Sequence, residues 1–362
     1  MMFVRNRNAV TLAAAAYAFT LIGVLSAAQN KGSTVEPKIV IESDGTVQEP
    51  ARSVPLSSFL TPEAKSYVTE HLKQMQDPEM LKADSGVPRF MSHYLDQDRE
   101  LFALNRKDEK IAGVHVFTYV PKSGIARQNQ RRVLINLHGG GFAGCWPGCA
   151  ELESMPLAAM MAIKVISVDY REGPDYKFPA ASEDVASVYK ELLKTYKPKN
   201  IGIYGCSAGG MLTAMSLAWF QTHGLPTPGA DGIFCASAGS FGGDATYIAF
   251  PLGEARIPAS DPSRNQLGYL SGANMSDPLV SPAESAAVLS KFPPTLLMTG
   301  TRDFAMSGAI HTDIQLTKAG VDSELHVWDG LFHGFFYNSS VPESKEAFEI
   351  AAKFFDTHLG KQ

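Results

Sequence analysis

From about residue 111 to the C-terminus, short apolar runs alternate with longer stretches of helical period. The runs 114–120, 132–137, 164–168, 200–204, 232–236, 294–299 and 324–328 predict strands, and 182–194, 209–221, 307–319 and 344–358 predict helices between them. Runs such as Val165-Ile166-Ser167-Val168 and Thr295-Leu296-Leu297-Met298 are largely apolar on both sides of the period-two alternation, as strands covered on both faces require. Strands and helices alternating in this way imply an α/β fold, with a mostly parallel central sheet flanked by helices.

Two stretches stand outside the alternation. Ahead of it, Thr61-Pro62-Glu63 offers an N-cap and a first-turn proline, and Ala64, Tyr67, Val68 and Leu72 give the following helix an apolar face. A helix that precedes the first strands is a candidate lid. Within the alternation, 239–272 is long and irregular, with Phe241, Tyr247, Phe250 and Tyr269 among Gly, Pro and Asp. It reads as a cap over an active site, or as a surface excursion packing its own aromatics. No fixed-period repeat argues for a solenoid or propeller.

The first residues follow another logic. Arg5 and Arg7 precede an apolar, Ala-rich run over 9–25, and Ser26-Ala27-Ala28 follows as a small-residue cleavage pattern. This predicts a secretory signal peptide over 1–28, cleaved near Ala28, and a secreted or periplasmic protein with no stable membrane association afterwards; the competing reading is a retained anchor. Residues 29–56 are polar and read as a linker. The expected organisation is therefore a signal peptide (1–28), a linker (29–56), a lid segment (57–105) and a catalytic domain (106–362) carrying a cap insertion (239–272).

With 362 residues, 45% of them apolar, the chain can bury a large core. A formal charge of -5 and the lack of any basic run interleaved with aromatics exclude nucleic acid as an expected partner. Four cysteines are present; Cys145 and Cys149 stand close enough in sequence to bridge or to remain free, and no second Cys or His pair at ligand spacing points to zinc.

The chemistry concentrates in two motifs. Gly205-Cys206-Ser207-Ala208-Gly209 fits G-x-S-x-G, which chance alone would produce about 0.2 times in a chain of this composition. Its context supplies the specificity: it follows the apolar run Ile201-Gly202-Ile203-Tyr204 and opens a predicted helix, where a nucleophile elbow holds a serine hydroxyl above the sheet. A serine needs a base to take its proton and donors for the charge that moves to the carbonyl oxygen. His138-Gly139-Gly140-Gly141-Phe142, directly after a predicted strand, has a chance expectation of about 0.006 and suits the second need.

On these residues the chain resembles the hormone-sensitive-lipase-like branch of the α/β-hydrolases. The likeness extends to Val168-Asp169-Tyr170-Arg171, Phe178-Pro179-Ala180-Ala181 with Asp184, the segment Asp277-Pro278-Leu279-Val280-Ser281-Pro282, Asp303 and His333. The resemblance implies Gly140, Gly141 and Ala208 as oxyanion N–H donors, and a triad in the chain order serine, acid, histidine. His333 follows the last predicted strand through the turn at Asp329-Gly330 and suits the base, whereas His311, His326 and His358 sit within predicted elements. Asp303, at a predicted strand's C-terminal end, suits the acid; Asp313, Asp322 and Asp329 are rivals, and Asp169 and Asp184 read as structural carboxylates. The sequence departs from many bacterial members at Cys206, read as a small packing residue, and at Ser307, where they carry an acidic group.

The expected activity is hydrolysis of a small-molecule carboxylic ester, of short to medium chain or aryl type, through Ser207, Asp303 and His333, with no metal or organic cofactor. Lactone, amide or carbamate hydrolysis by the same triad is a further reading, and a small-molecule receptor without turnover is a reading of another class. The spacing of Phe90, Trp146, Phe241 and Phe335 does not fix the shape of the pocket between them, and the oligomeric state is left open.

Overall fold

The computed structural model describes residues 38–84, 86–257 and 268–360. The expected signal peptide lies outside them, as do the first residues of the linker and 258–267 of the cap insertion. The chain divides into two units, 1–53 and 54–362. In the first, within the stretch read as linker, Val40–Ile41 pairs antiparallel with Val47–Gln48.

The second unit is built on an eight-stranded sheet: β1 (Leu104–Ile111), β2 (Val114–Pro121), β3 (Val133–Leu137), β4 (Lys164–Val168), β5 (Ile201–Cys206), β6 (Ala230–Phe234), β7 (Thr295–Arg302) and β8 (Ser323–Phe332). They lie in the order β8-β7-β6-β5-β3-β4-β2-β1. Strands β3 to β8 run parallel, and β2 runs antiparallel to both β4 and β1. This is the mostly parallel, helix-covered sheet the alternation predicts. Strand β1 escapes the pattern because it is an exposed edge of sequence Leu-Asn-Arg-Lys-Asp-Glu-Lys-Ile, whose charges blunt edge-to-edge pairing. Its hairpin partner follows after Ala112 and Gly113, both at positive φ, the conformation a two-residue hairpin turn demands.

Nine helices are described: α1 (Pro62–Met75), α2 (Arg89–Leu101), α3 (Gly148–Met160), α4 (Ala180–Leu192), α5 (Ala208–Thr222), α6 (Ala245–Glu254), the short α7 (Ala286–Leu289), α8 (Met306–Lys318) and α9 (Pro342–His358). Alternate side chains of the inner strands divide between two cores. Leu134, Val165, Tyr204 and Met298 face α1, α2, α3 and α9, while Ile135, Ile166, Ile203 and Leu297 face α4, α5, α7 and α8. Central positions such as Leu134, Ile135 and Ile203 are wholly buried, which is why these strands read as continuous apolar runs.

Helix α1 begins as its cap predicts, with Thr61 Oγ1 accepting from the Ala64 N–H at 3.1 Å, and the Glu343 carboxylate accepts from the Thr61 N–H at 2.8 Å, fastening α1 to α9. The residues read as a lid segment thus share one compact unit with the sheet. Among the described residues, no helix is long and apolar enough to cross a membrane.

Candidate active site

The C-terminal ends of β3, β5, β7 and β8 bring the sequence-predicted groups to one edge of the sheet. Ser207 sits between β5 and α5 with φ 57° and ψ -120°, a strained conformation for a residue with a side chain, and its N–H donates to the Phe234 carbonyl at 2.8 Å. The elbow turns this sharply because its glycines let two backbones meet: a Cβ at Gly209 would stand 1.8 Å from the Leu137 oxygen, and one at Gly205 2.1 Å from the same atom. Leu137 is the last residue of β3, so the close approach also sets the elbow against the start of the glycine loop.

That loop is held on several sides. His138 is wholly buried, stacks on Tyr170 at 4.5 Å between ring centroids, and approaches the Gly139 carbonyl with Nδ1 at 2.7 Å. Burial pushes its imidazole down to about 4, so the ring is neutral and structural. Tyr170 Oη donates to the His138 carbonyl at 2.6 Å. Gly140, at φ 117°, turns the chain so tightly that a Cβ there would lie 2.1 Å from the Gly144 oxygen. Ala208 opens α5, where the first N–H groups have no intrahelical acceptor and carry the positive end of the helix dipole. Just beyond, Cys145 and Cys149 are joined by a disulfide.

Asp303 and His333 meet. Asp303 Oδ1 lies 2.8 Å from His333 Nδ1 and also accepts from the Ala305 N–H at 2.8 Å; Oδ2 accepts from Thr299 Oγ1 at 2.8 Å. The carboxylate is fully buried and the His333 side chain 17% exposed. Burial alone would raise Asp303, but the His333 ring and these hydrogen bonds outweigh it and hold the carboxyl below its usual range. Burial likewise works to lower His333, and the Asp303 charge and hydrogen bond, with Glu254, outweigh it, so the imidazole lies above its ordinary value. The rival carboxylates are engaged elsewhere: Asp329 accepts from Ser57 Oγ and Thr301 Oγ1, Asp313 from Ser323 Oγ, and Asp322 is exposed. Asp184 binds the Arg171 backbone and guanidinium, and Asp169 pairs with His115.

One turn links this pair to Ser207. Phe234, which receives the Ser207 N–H, is followed by Cys235, whose Sγ accepts from the Gly334 N–H at 3.3 Å. Cys235 Sγ, an Asp303 oxygen and a His333 nitrogen lie within 4.8 Å of one another. These are metal-ligating residue types, but the Asp303 oxygens are already engaged by Thr299, Ala305 and His333. The set fits a histidine and its orienting acid.

Aromatic side chains close over the pair. Phe304 stacks on His333 at 4.2 Å, and Phe241 and Phe250 of the 239–272 insertion both contact Phe304 at 5.7 Å. Tyr269 stacks on Phe142 of the glycine loop at 4.7 Å. From α1, His71 stacks on Phe332 at 3.5 Å and its Nε2 lies 3.0 Å from the Gly253 carbonyl, tying α1 to α6 beside His333. Phe335 is wholly buried in the core against Trp328 and Phe336. Ser307 Oγ accepts from the Ala245 N–H at 2.9 Å, fastening α6 to α8.

Sequence reasoning missed Glu153, Glu254, Phe304 and Tyr337. Glu153 alone left a trace, as one of two carboxylates, with Glu151, in the largely small and apolar run Gly148-Cys149-Ala150-Glu151-Leu152-Glu153-Ser154-Met155. It is 1% exposed, and burial pushes its carboxyl up to about 7 against four donors that favour the charged form.

A family model described as alpha/beta hydrolase fold matches residues 134–337. An acetyl-hydrolase of Streptomyces hygroscopicus is 30% identical over 238 residues, 65% of this chain and 79% of that protein. An esterase of Acinetobacter venetianus is 26% identical over 305 residues, covering 80% and 95%. Among solved structures, an esterase E25 superposes with a TM-score of 0.73 at 26% identity, covering 86% of this chain and 98% of that one. An esterase of the bacterial hormone-sensitive lipase family shares the fold at 24% identity, with a TM-score of 0.70 over 83% and 99%.

Proposed function

The chain belongs to the α/β-hydrolase fold family, and from that premise we propose that it is a carboxylic ester hydrolase of the hormone-sensitive-lipase-like branch, working by two-step acyl transfer. The observation that carries this reading is the buried Asp303 carboxylate bonded to His333 Nδ1, at the same sheet edge as a strained, positive-φ Ser207. With Nδ1 occupied, the His333 Nε2 is the nitrogen left to take the Ser207 proton.

In the first step Ser207 Oγ bonds to the ester carbonyl carbon as its proton passes to Nε2, and the oxyanion takes N–H donors from Gly140, Gly141 and Ala208. The tetrahedral species collapses, the C–O bond to the alcohol breaks, and the proton on Nε2 goes to the leaving oxygen. Water then gives a proton to Nε2 and attacks the acyl-enzyme; release of the acid returns that proton to Ser207. The name of the acetyl-hydrolase relative favours acetyl groups, and the aromatic cluster of Phe241, Phe250 and Phe304 beside His333 favours compact or aryl esters.

The signal-like residues 1–28 and the Cys145–Cys149 disulfide support export to an oxidising compartment. N-terminal sequencing of the exported protein is expected to begin near Gln29. For the activity, purified protein is assayed on p-nitrophenyl acetate, butyrate and decanoate, a matched anilide and a lactone. Fastest turnover is expected on the two shorter esters; preference for the anilide or lactone overturns the ester assignment, and no turnover at all favours a receptor.

A further inference from the structure

Burying a carboxylate is costly unless its acceptor sites are filled, so a wholly buried one marks a place where several donors converge. In Glu153 the filling is complete. Oε1 accepts from the Gly139 N–H at 2.9 Å and from Tyr337 Oη at 2.8 Å; Oε2 accepts from Asn136 Nδ2 at 2.8 Å and from the Cys206 N–H at 3.3 Å. Its main-chain carbonyl also accepts from Tyr204 Oη at 3.0 Å.

The identity of the donors gives the arrangement its meaning. Gly139 precedes Gly140 of the glycine loop, Cys206 precedes Ser207, and Tyr337 packs against Gly334, where a Cβ would stand 3.0 Å from its ring. Gly334 in turn follows His333. Three segments distant in sequence are therefore joined at one side chain: two through residues adjacent to Gly140 and Ser207, and the third through Tyr337, four residues beyond His333 and packed on the turn that follows it. We propose that Glu153 is a positioning residue for acyl transfer, fixing the oxyanion donors, the nucleophile and the base relative to one another.

This rests on the esterase reading given above. Oxyanion donors act only within about 2.7–3.1 Å of the oxygen that becomes charged, and a misplacement of about 1 Å can cost on the order of 10²-fold in rate. An anchor that merely fills the core would bond to residues without regard to the site. In Glu153→Gln the side chain keeps its size, but in either orientation of the amide one backbone N–H, of Gly139 or of Cys206, faces an NH₂ group instead of an acceptor.

The test compares wild type, Glu153→Gln and Tyr337→Phe, the last removing one donor while leaving no new buried donor behind. Each is assayed on p-nitrophenyl acetate, with active serines counted by exhaustive fluorophosphonate titration and folding followed by thermal melts. Wild-type turnover that disappears in Ser207→Ala establishes the parent reading independently of Glu153; absence of that turnover sinks the parent reading and with it this inference. With it in place, Glu153→Gln is expected to lower kcat per titrated serine by about 10- to 100-fold with KM within about threefold. Tyr337→Phe is expected to fall by about three- to tenfold in the same way. Affinity for a trifluoromethyl ketone, whose adduct carries the oxyanion, is expected to fall with kcat/KM. Overturning results are a kcat per titrated serine within twofold of wild type in both variants, or losses confined to melting temperature and titratable fraction. If Glu153→Gln fails to fold, Tyr337→Phe decides by the same criteria.

Discussion

His333 Nδ1 lies 2.8 Å from Asp303 Oδ1, while Asp329, four residues before His333 in sequence, bonds to Ser57 and Thr301 instead. Proximity along the chain and proximity in space therefore name different acids. Asp303→Asn removes the charge that favours the imidazolium and is expected to lower kcat by on the order of 10³- to 10⁴-fold. Asp329→Asn is expected to stay within about threefold, as rim hydrogen bonds contribute little. Steady-state kinetics on one chromogenic ester checks both, and a reversal of the two losses would move the acid to Asp329.

The same contact sets a pH dependence. In the proposed mechanism the base is neutral His333, and Asp303 with Glu254 raises its pKa, so kcat/KM is expected to rise with pH through a midpoint above the ordinary histidine value of about 6.5. Glu254→Gln withdraws one negative charge and shifts this limb to lower pH. A pH profile of both proteins checks the sign; an upward shift contradicts it.

His138 affects stability in another pH window. Its folded value of about 4 lies below the unfolded value, so its contribution is complete above about 6.5 and is lost as pH falls from there towards 4, as the unfolded chain takes up a proton the buried ring refuses. The shift corresponds to about 3 kcal/mol at full extent. Urea unfolding of wild type between pH 7 and pH 4 is expected to show this loss, with a shallower slope in His138→Asn; equal slopes would remove His138 from the account.

At the elbow, Gly209→Ala sets a methyl group 1.8 Å from the Leu137 oxygen. Neither backbone can retreat without moving β3 or α5, so a destabilisation of about 3 kcal/mol with loss of turnover is expected. Equilibrium unfolding measures it, and a wild-type midpoint would show that the elbow has room to spare.

Much of this architecture is legible in the residues themselves. The inner strands announce themselves because both faces are buried, and the elbow and glycine loop because their chemistry is local: Ser207 with its glycines, His138 with three more. Asp303 and His333 could be paired through order along the chain, since each follows a readable strand. Strand β1 could not be read, because an edge strand of charged residues carries no apolar signal. Glu153 could not be read as a hub either, for its partners at 136, 139, 206 and 337 come together only when β3, β5 and the chain after β8 are laid side by side.

The account stands most directly on Ser207. Treatment of the full chain with a fluorophosphonate, followed by peptide mass spectrometry and parallel assay on p-nitrophenyl acetate, is predicted to give one adduct, on Ser207, with turnover lost in proportion to labelling and with Ser207→Ala both unlabelled and inactive. An adduct on another residue accompanying the loss of activity, or turnover that survives in Ser207→Ala, would contradict it.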